Sequence, residues 1–267
     1  MIEGLLRGKA AVITGAAMGI GRATAMRLAQ AGCAVALGDI REAELDDAAK
    51  ELEAAGHQAL AIPTDVRRRD SVQRLFAKTH ERFGRIDILV TSAGVRFMSS
   101  IPDVTEEEWN ETFSVNVAGM FNCIQAVVPY LRRVGGGKIV NVGSVSGLRG
   151  LRNRAPYCAS KAAVHGLTRQ TAAELAQFNI QVNAVAPGYV DTPMTGMYSA
   201  EVVAAMVKGV PAGRRCGPEE VADAIIYLAS PGSNYVTGDV LSVDGGLAGS
   251  IMVDAWSWHT NYPALEP

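Results

Sequence analysis

Thr14-Gly15-Ala16-Ala17-Met18-Gly19-Ile20-Gly21 closes the apolar run that begins at Ala10 and opens an amphipathic stretch. That order predicts a strand, a tight turn and a helix N-terminus. Glycines in such a turn let the backbone approach a pyrophosphate, and the unpaired N–H groups of the helix end meet its charge. The spacing is Gly-x-x-x-Gly-x-Gly rather than the general G-x-G-x-x-G, and a turn needed only for chain reversal would look the same. Context favours the phosphate reading, because the next apolar run, Ala34–Leu37, is followed at once by Gly38-Asp39. A carboxylate at the end of a second strand accepts hydrogen bonds from the ribose 2′-hydroxyl of NAD and repels the 2′-phosphate of NADP. The alternative for Asp39 is a solvated turn residue. Arg41 could pair with a 2′-phosphate, but it lies past the acid, so NAD is the expected cofactor.

Outward from this unit the alternation continues. Strands are expected at Ala10–Thr14, Ala34–Leu37, Gln58–Pro63, Ile86–Thr91, Lys138–Val142, Gln181–Ala186 and Val240–Val243. Helices are expected around Gly19–Ala31, Glu42–Ala55, Ser71–Phe83, Thr105–Arg133, Pro156–Phe178 and Pro218–Ala229. The strands are apolar throughout, as expected when helices cover both faces of a parallel sheet. The pattern predicts an α/β fold, a doubly wound parallel sheet of about seven strands with helices on both faces. Thr105 with Glu108 reads as a capping box, and Pro218-Glu219-Glu220 as a first helical turn. No linker or repeat interrupts the pattern, so residues 1–267 are expected to form one domain. Two segments break the alternation: 191–213, rich in Met and small residues, and the tail 247–267.

The 267 residues are 48% hydrophobic and 19% charged, with a net charge of −2, which excludes disorder for most of the chain and leaves no electrostatic footprint for nucleic acid. Thr112–Leu131 is uncharged and long enough to span a bilayer, but it contains Asn116, Asn122, Gln125 and Pro129, so a buried helix is expected and no membrane association. The four cysteines are widely spaced, with no C-x-x-C, so neither a disulfide framework nor a metal site is expected. Buried thiols in a reducing compartment, and no signal peptide, point to the cytoplasm.

Tyr157-Cys158-Ala159-Ser160-Lys161 puts a tyrosine and a lysine at i and i+4 on one helix face. A tyrosine, with a reference pKa of ~10, is a poor base at neutral pH. A lysine cation about 4 Å away supplies on the order of 4 kcal/mol at an effective dielectric near 20, roughly three pKa units. That poises a phenol for general acid–base work. Taken alone, the pair would read as amphipathic surface. It has company in Ser144, at the C-terminal end of the fifth strand, the sheet edge where ligands of open α/β folds bind. Ser144 can hold a substrate oxygen beside the tyrosine. Asn116, polar within an uncharged helix, must find a partner there and could equally be a satisfied buried amide.

With these residues assembled, the chain resembles the short-chain dehydrogenase/reductase family over roughly residues 7–246. The matching motifs are Thr14–Gly21, Asp65-Val66, Ala93-Gly94, Asn116, Ser144, Tyr157 with Lys161, Pro187-Gly188, Thr192-Pro193-Met194 and Asp244-Gly245-Gly246. The resemblance implies a Rossmann-like fold and hydride transfer between a nicotinamide cofactor and a CH–OH group. It implies that Tyr157 exchanges the proton, Ser144 orients the substrate oxygen, Lys161 lowers the tyrosine pKa and binds the ribose, and Asn116 anchors a water relayed to Lys161. Cofactor contacts are implied at Gly15, Met18, Gly19, Ile20, Gly21, Asp39, Asp65, Val66, Ala93, Gly94, Tyr157, Lys161, Pro187, Gly188, Val190 and Thr192. Where the family has Asn-Asn-Ala-Gly after the fourth strand, this chain has Thr91-Ser92-Ala93-Gly94, which puts sheet bracing or cofactor affinity in question.

Substrate contacts are expected from Arg96, Ser146, Arg152, Tyr189 and Met194. Arg96 and the run Arg149, Arg152, Arg154 could anchor an anionic or polyhydroxylated substrate through paired hydrogen bonds, or could simply be solvated. Segment 191–213 resembles the family's substrate lid, its Met residues serving as an adaptable wall or as core packing. The tail carries Trp256, Trp258, His259 and Tyr262, which suggest docking at a subunit interface of a homotetramer or homodimer. The function expected is NAD-dependent interconversion of a secondary alcohol, or a sugar hemiacetal or polyol hydroxyl, with its carbonyl compound. The alternatives are a ketone or 3-oxoacyl thioester reductase with the same machinery, and a non-catalytic dinucleotide-binding redox sensor.

Overall fold

The computed structural model describes residues 3–196 and 198–249; Met197 and the aromatic tail residues Trp256, Trp258, His259 and Tyr262 lie outside the described residues. Seven parallel strands form one sheet: β1 Ala10–Thr14, β2 Ala34–Asp39, β3 Ala59–Pro63, β4 Ile88–Thr91, β5 Gly137–Val142, β6 Ile180–Pro187 and β7 Val240–Val243. Their spatial order is β3-β2-β1-β4-β5-β6-β7. The chain winds outward from β1 to β3, returns to β4 beside β1, and winds outward again. The winding therefore reverses between β1 and β4, where Thr14 and Thr91 lie in register. A reversal of this kind opens a crevice at the carboxyl ends of the strands.

Among the described residues there are eight α-helices: α1 Gly19–Gln30, α2 Glu42–Ala54, α3 Arg69–Phe83, α4 Glu106–Phe113, α5 Met120–Arg133, α6 Ala155–Leu175, α7 Ala200–Lys208 and α8 Pro218–Ala229. Side chains alternate along each strand, so consecutive residues serve opposite faces. Ile13, Val35, Val90 and Val140 pack under α1, α2 and α8. Val12, Ala36, Leu89 and Ile139 pack under α3, α5 and α6. Both faces are buried, which is why these strands read as unbroken apolar runs. Thr91 Oγ1 and Asn141 Oδ1 join β4 to β5 at 2.7 Å, and Asn141 Nδ2 donates to Thr168 Oγ1 on α6 at 3.0 Å. Thr91, in the Thr-Ser-Ala-Gly run, thus takes part in bracing the sheet.

The expected caps form. Glu108 N–H donates to Thr105 Oγ1 at 3.1 Å, and Thr105 N–H to the Glu108 carboxylate at 3.2 Å. Pro218 opens α8, where the Glu220 carboxylate accepts the Gly217 N–H at 2.8 Å. Two expectations are corrected. The single helix over Thr105–Arg133 is interrupted by a π-helical turn, Ser114–Gly119, between α4 and α5. Its wider turn leaves Asn116 facing Val95 and sets Gly119 against Val66, where a Cβ would approach Val66 Cγ2 to 2.5 Å. Segment 191–213 contains α7, whose N-terminal Ser199 hydroxyl accepts the Val202 N–H at 3.4 Å. Among the described residues no helix is long and apolar enough to cross a membrane.

Candidate active site

A cavity of about 880 Å³ runs along the carboxyl ends of the strands. At its centre is the turn after β1. Gly15 has φ +67°, and a Cβ there would lie 2.6 Å from the Ala93 nitrogen. Gly21, one helical turn on, lets α1 settle against that turn: a Cβ would come within 2.0 Å of the Gly15 carbonyl oxygen. Glycine at both positions follows from this close packing. The α1 N-terminus has no side-chain cap and no acid in its first turn. Its partial positive charge is thus left for an anion, and the middle of the cavity fits a dinucleotide pyrophosphate.

One end of the cavity is acidic. Asp39 closes β2, its Oδ2 accepting the Ala17 N–H and its Oδ1 the Arg41 N–H, each at 3.1 Å. Those two bonds hold the carboxylate at the wall beside Ile40 and Arg41. Asp65 is bound by Arg67, whose guanidinium also holds Glu111 at 2.9 Å. The Arg67 hydrogen bond holds the Asp65 carboxyl below the usual carboxylate range. Val66 is buried, and its carbonyl accepts from Asn122 Nδ2 at 3.0 Å.

At the other end stand Ser144, Tyr157 and Lys161. Ser144 follows β5, and its Oγ accepts the Ser146 N–H at 3.1 Å, which fixes the hydroxyl at the strand edge. The i, i+4 spacing does bring Tyr157 and Lys161 to one face of α6. Lys161 Nζ lies 5.6 Å from the centre of the Tyr157 ring and donates to the Val142 carbonyl at 2.8 Å. Burial lowers its pKa to about 8. Burial raises the Tyr157 phenol, against a hydrogen bond with Ser144 and the charges of Arg96 and Arg154, which favour the phenolate. In the protein alone, the nearby cations that pull the phenol downward are therefore arginines, because Lys161 is turned toward the β5 carbonyl.

Asn116 stands behind the wall rather than in it. Its Oδ1 accepts the Val95 N–H at 2.8 Å, while its Nδ2 donates to the Val95 carbonyl and to Ser160 Oγ, each at 3.0 Å. The amide is a fully used brace that shapes the loop after β4. It packs so near Gly94 that a Cβ there would meet Asn116 Oδ1 at 3.3 Å and Lys161 Nζ at 3.8 Å. Ser160, which also donates to the Tyr157 carbonyl at 2.8 Å, links the Asn116 brace to α6. Sequence reading passed over Ser160, although it stands inside the Tyr-x-x-x-Lys spacing.

The cavity collects every other expected catalytic, cofactor and substrate contact except Gly21 and Arg152, while Arg149 and the Asp244-Gly245-Gly246 motif lie outside its lining. Arg152 is exposed and outside the wall, and Arg154 lines it instead. Beneath the Ser144 loop lies His165, so close that a Cβ at Gly143 or Gly147 would strike its ring at 2.3 or 2.7 Å. Burial, seconded by the charge of Lys161, lowers the imidazole to about 4, so it is neutral and wedges the loop. Such a residue is invisible in a sequence pattern, because its role is set by packing across α6 and β5.

A nucleotide-shaped cavity across the switch point, with a phenol, a hydroxyl and an ammonium at one end, defines a dinucleotide-dependent enzyme. A family model described as enoyl-(acyl carrier protein) reductase matches residues 15–248. A 3-oxoacyl-[acyl-carrier-protein] reductase of Thermotoga maritima is 44% identical over 242 residues, covering 91% of this chain and 98% of that protein. A cis-4-hydroxycyclohexanecarboxylate dehydrogenase of Sinomonas cyclohexanicum is 43% identical over 239 residues, 89% of this chain and 96% of that one. The crystal structure of a short-chain type dehydrogenase/reductase from Mycobacterium marinum superposes with a TM-score of 0.87 at 36% identity, covering 92% and 97% of the two chains. The chain belongs to the short-chain dehydrogenase/reductase family. It is an oxidoreductase acting on CH–OH groups of small molecules with a nicotinamide dinucleotide cofactor.

Proposed function

We propose that the protein is an NAD-dependent dehydrogenase that interconverts a secondary alcohol and its carbonyl compound. The observation that carries this reading is the position of Asp39, held by two backbone N–H groups at the wall of the cavity. A carboxylate there accepts from a ribose 2′-hydroxyl and repels a 2′-phosphate. A bound nicotinamide would supply the acceptor for the hydride, a proton with two electrons, that leaves the alcohol carbon as it becomes a carbonyl carbon. Ser144 Oγ holds the substrate oxygen, and the Tyr157 hydroxyl, as phenolate, takes the hydroxyl proton. Lys161 and the Asn116 brace position that end of the cofactor, with Asn116 acting through the Val95 loop. The cofactor wall comprises Gly15, Met18, Gly19, Ile20, Asp39, Asp65, Val66, Ala93, Gly94, Pro187, Gly188, Val190 and Thr192, with Gly21 supporting it from behind.

The same machinery run in reverse is a 3-oxoacyl thioester reductase, the activity named for the Thermotoga relative at 44% identity. Under the dehydrogenase reading, the chain acts as one domain in the cytoplasm, as a homotetramer or homodimer, with 191–213 as a substrate lid. Steady-state assays with sugars, polyols, hydroxy acids and acetoacetyl thioesters, each with both cofactors, test the reading. Alcohol oxidation with NAD⁺ at least tenfold more efficient than with NADP⁺ is the expected result. Turnover confined to oxoacyl thioesters with NADPH would replace it by the reductase reading.

A further inference from the structure

The arginines of this cavity divide into two kinds. At the acidic end, Arg67 is paired with Asp65 and Glu111, and Arg41 lies 3.8 Å from Glu44. At the catalytic end, Arg96 and Arg154 line the wall beside Ser144 and Tyr157, and among the described residues neither has a carboxylate partner. Each is aimed by a neutral group. Arg96 Nη2 donates to the Met194 carbonyl at 2.6 Å, and Arg154 Nη2 to the Tyr198 hydroxyl at 2.8 Å. Tyr198 holds the two together, since the Arg96 guanidinium also lies 5.5 Å from the centre of its ring.

Two like charges in a half-buried wall repel each other, and holding them there without a counter-ion costs stability. Burial, and then the neighbouring charge of Arg154, lowers the Arg96 guanidinium. Both cations line the same cavity as Ser144 and Tyr157, so they and the reacting hydroxyl share one space. Every guanidinium carries five N–H donors in a planar fork, and the hydrogen bonds above use one on each. The remaining donors suit the two oxygens of a carboxylate. The other two arginines singled out from the sequence are absent from this wall: Arg149 donates to the Leu247 carbonyl, and Arg152 is exposed.

We infer that Arg96 and Arg154 together bind a substrate carboxylate, so that the enzyme's substrates are hydroxy acids and the corresponding oxo acids. This rests on the dehydrogenase reading for the reacting hydroxyl, whereas the anion site stands on the two arginines alone. The clamp sets specificity: a neutral ester of the same acid leaves both half-buried guanidinium groups without a counter-ion and is disfavoured.

The test compares lactate, 3-hydroxybutyrate and cis-4-hydroxycyclohexanecarboxylate with their methyl esters, using NAD⁺ and the full chain. At least one acid is expected to exceed its ester about 100-fold in kcat/KM. Arg96→Met and Arg154→Met are each expected to raise KM for that acid tenfold or more, with a smaller change in kcat, and to shrink the acid-to-ester ratio. The lysine variants should recover part of the loss, and Arg152→Met should change nothing. A binding arm is independent of turnover: the NADH complex is titrated with cyclohexanecarboxylate and with cyclohexanecarboxamide, and NADH affinity of each variant verifies that it folds. Tighter binding of the carboxylate that disappears in both arginine variants, without oxidation of any hydroxy acid, keeps the anion site and overturns the dehydrogenase reading. Equal handling of acid and ester with equal binding of carboxylate and amide overturns the inference, as does turnover of acetoacetyl thioesters alone that is indifferent to both arginines.

Discussion

Lys161 Nζ donates to the Val142 carbonyl at 2.8 Å, and this contact ties α6 to the end of β5 with an ammonium that is only 5% exposed. Burial lowers the group to about 8, against about 10.4 in an unfolded chain. Below pH 8 the lysine is charged in both states, and the fold bears the whole desolvation cost. Between pH 8 and 10.4 the unfolded chain binds the extra proton, so this lysine makes stability rise with pH. Lys161→Met removes the effect. The stability of the cofactor-free variant relative to the native protein should fall by about 3 kcal/mol between pH 7 and pH 10.5. Urea denaturation across that range measures it. The Val142 hydrogen bond is donated by the titrating group itself and belongs to the same effect, and a difference that stays flat with pH would show that Lys161 keeps an ordinary pKa.

Tyr157→Phe removes the hydroxyl that lines the cavity beside Ser144. The ring and its packing on α6 are retained. Turnover should drop by about 10³-fold or more, in line with loss of a general acid–base group. NADH affinity, followed by fluorescence, should stay within about twofold, because binding energy comes from the rest of the wall. Residual activity near the native level would remove Tyr157 from the proposed chemistry.

The central strands were readable because burial on both faces forces them to be apolar throughout, and the fully buried Ala10–Thr14 has its expected bounds. The break at Ser114–Gly119 was not readable. One extra residue in a helical turn leaves the apolar pattern on either side intact, and the bond it accompanies, from the Val95 N–H to Asn116 Oδ1, joins residues 21 apart in sequence. Nor was α7 visible, since Ala200–Lys208 is short and largely apolar, with little polar face to define a period. The site divides similarly. Gly15, Ser144, Tyr157 and Lys161 carry local spacing signals. The choice of Arg154 over Arg152 depends on a contact with Tyr198, distant in sequence, and the Arg67 bridge depends on Glu111.

Asp39→Ala takes away the carboxylate at the end of β2 while leaving β2 paired with β3 through backbone alone. The ratio of kcat/KM for NAD⁺ over NADP⁺ should fall by about 10- to 100-fold, the loss of one charge-assisted hydrogen bond together with relief of repulsion toward a phosphate. Arg41, exposed beside the site, then becomes the nearest charge for a 2′-phosphate. Parallel saturation curves with the two cofactors check this, and an unchanged ratio would detach Asp39 from the ribose.

Asp87→Asn probes the opposite end of the sheet. The Asp87 carboxylate, 4% exposed, accepts from Lys9 Nζ and the Ala10 N–H at 3.0 Å and from Arg85 at 2.6 Å. Burial pushes its pKa up, but Arg85, the Ala10 N–H and Lys9 outweigh that and hold it below the usual carboxylate range. A group lowered in this way contributes stability above the unfolded value of about 3.9 and loses it as pH falls through the folded value. At pH 7 the asparagine costs about 1–2 kcal/mol, because the two cations left behind are 47% and 40% exposed and water screens them. At pH 3 and below, the native carboxyl increasingly takes a proton and comes to resemble the amide, so the two proteins should converge. Denaturation at pH 7 and at low pH reads both values. A deficit that persists undiminished after protonation would assign the effect to packing of the amide rather than to lost charge.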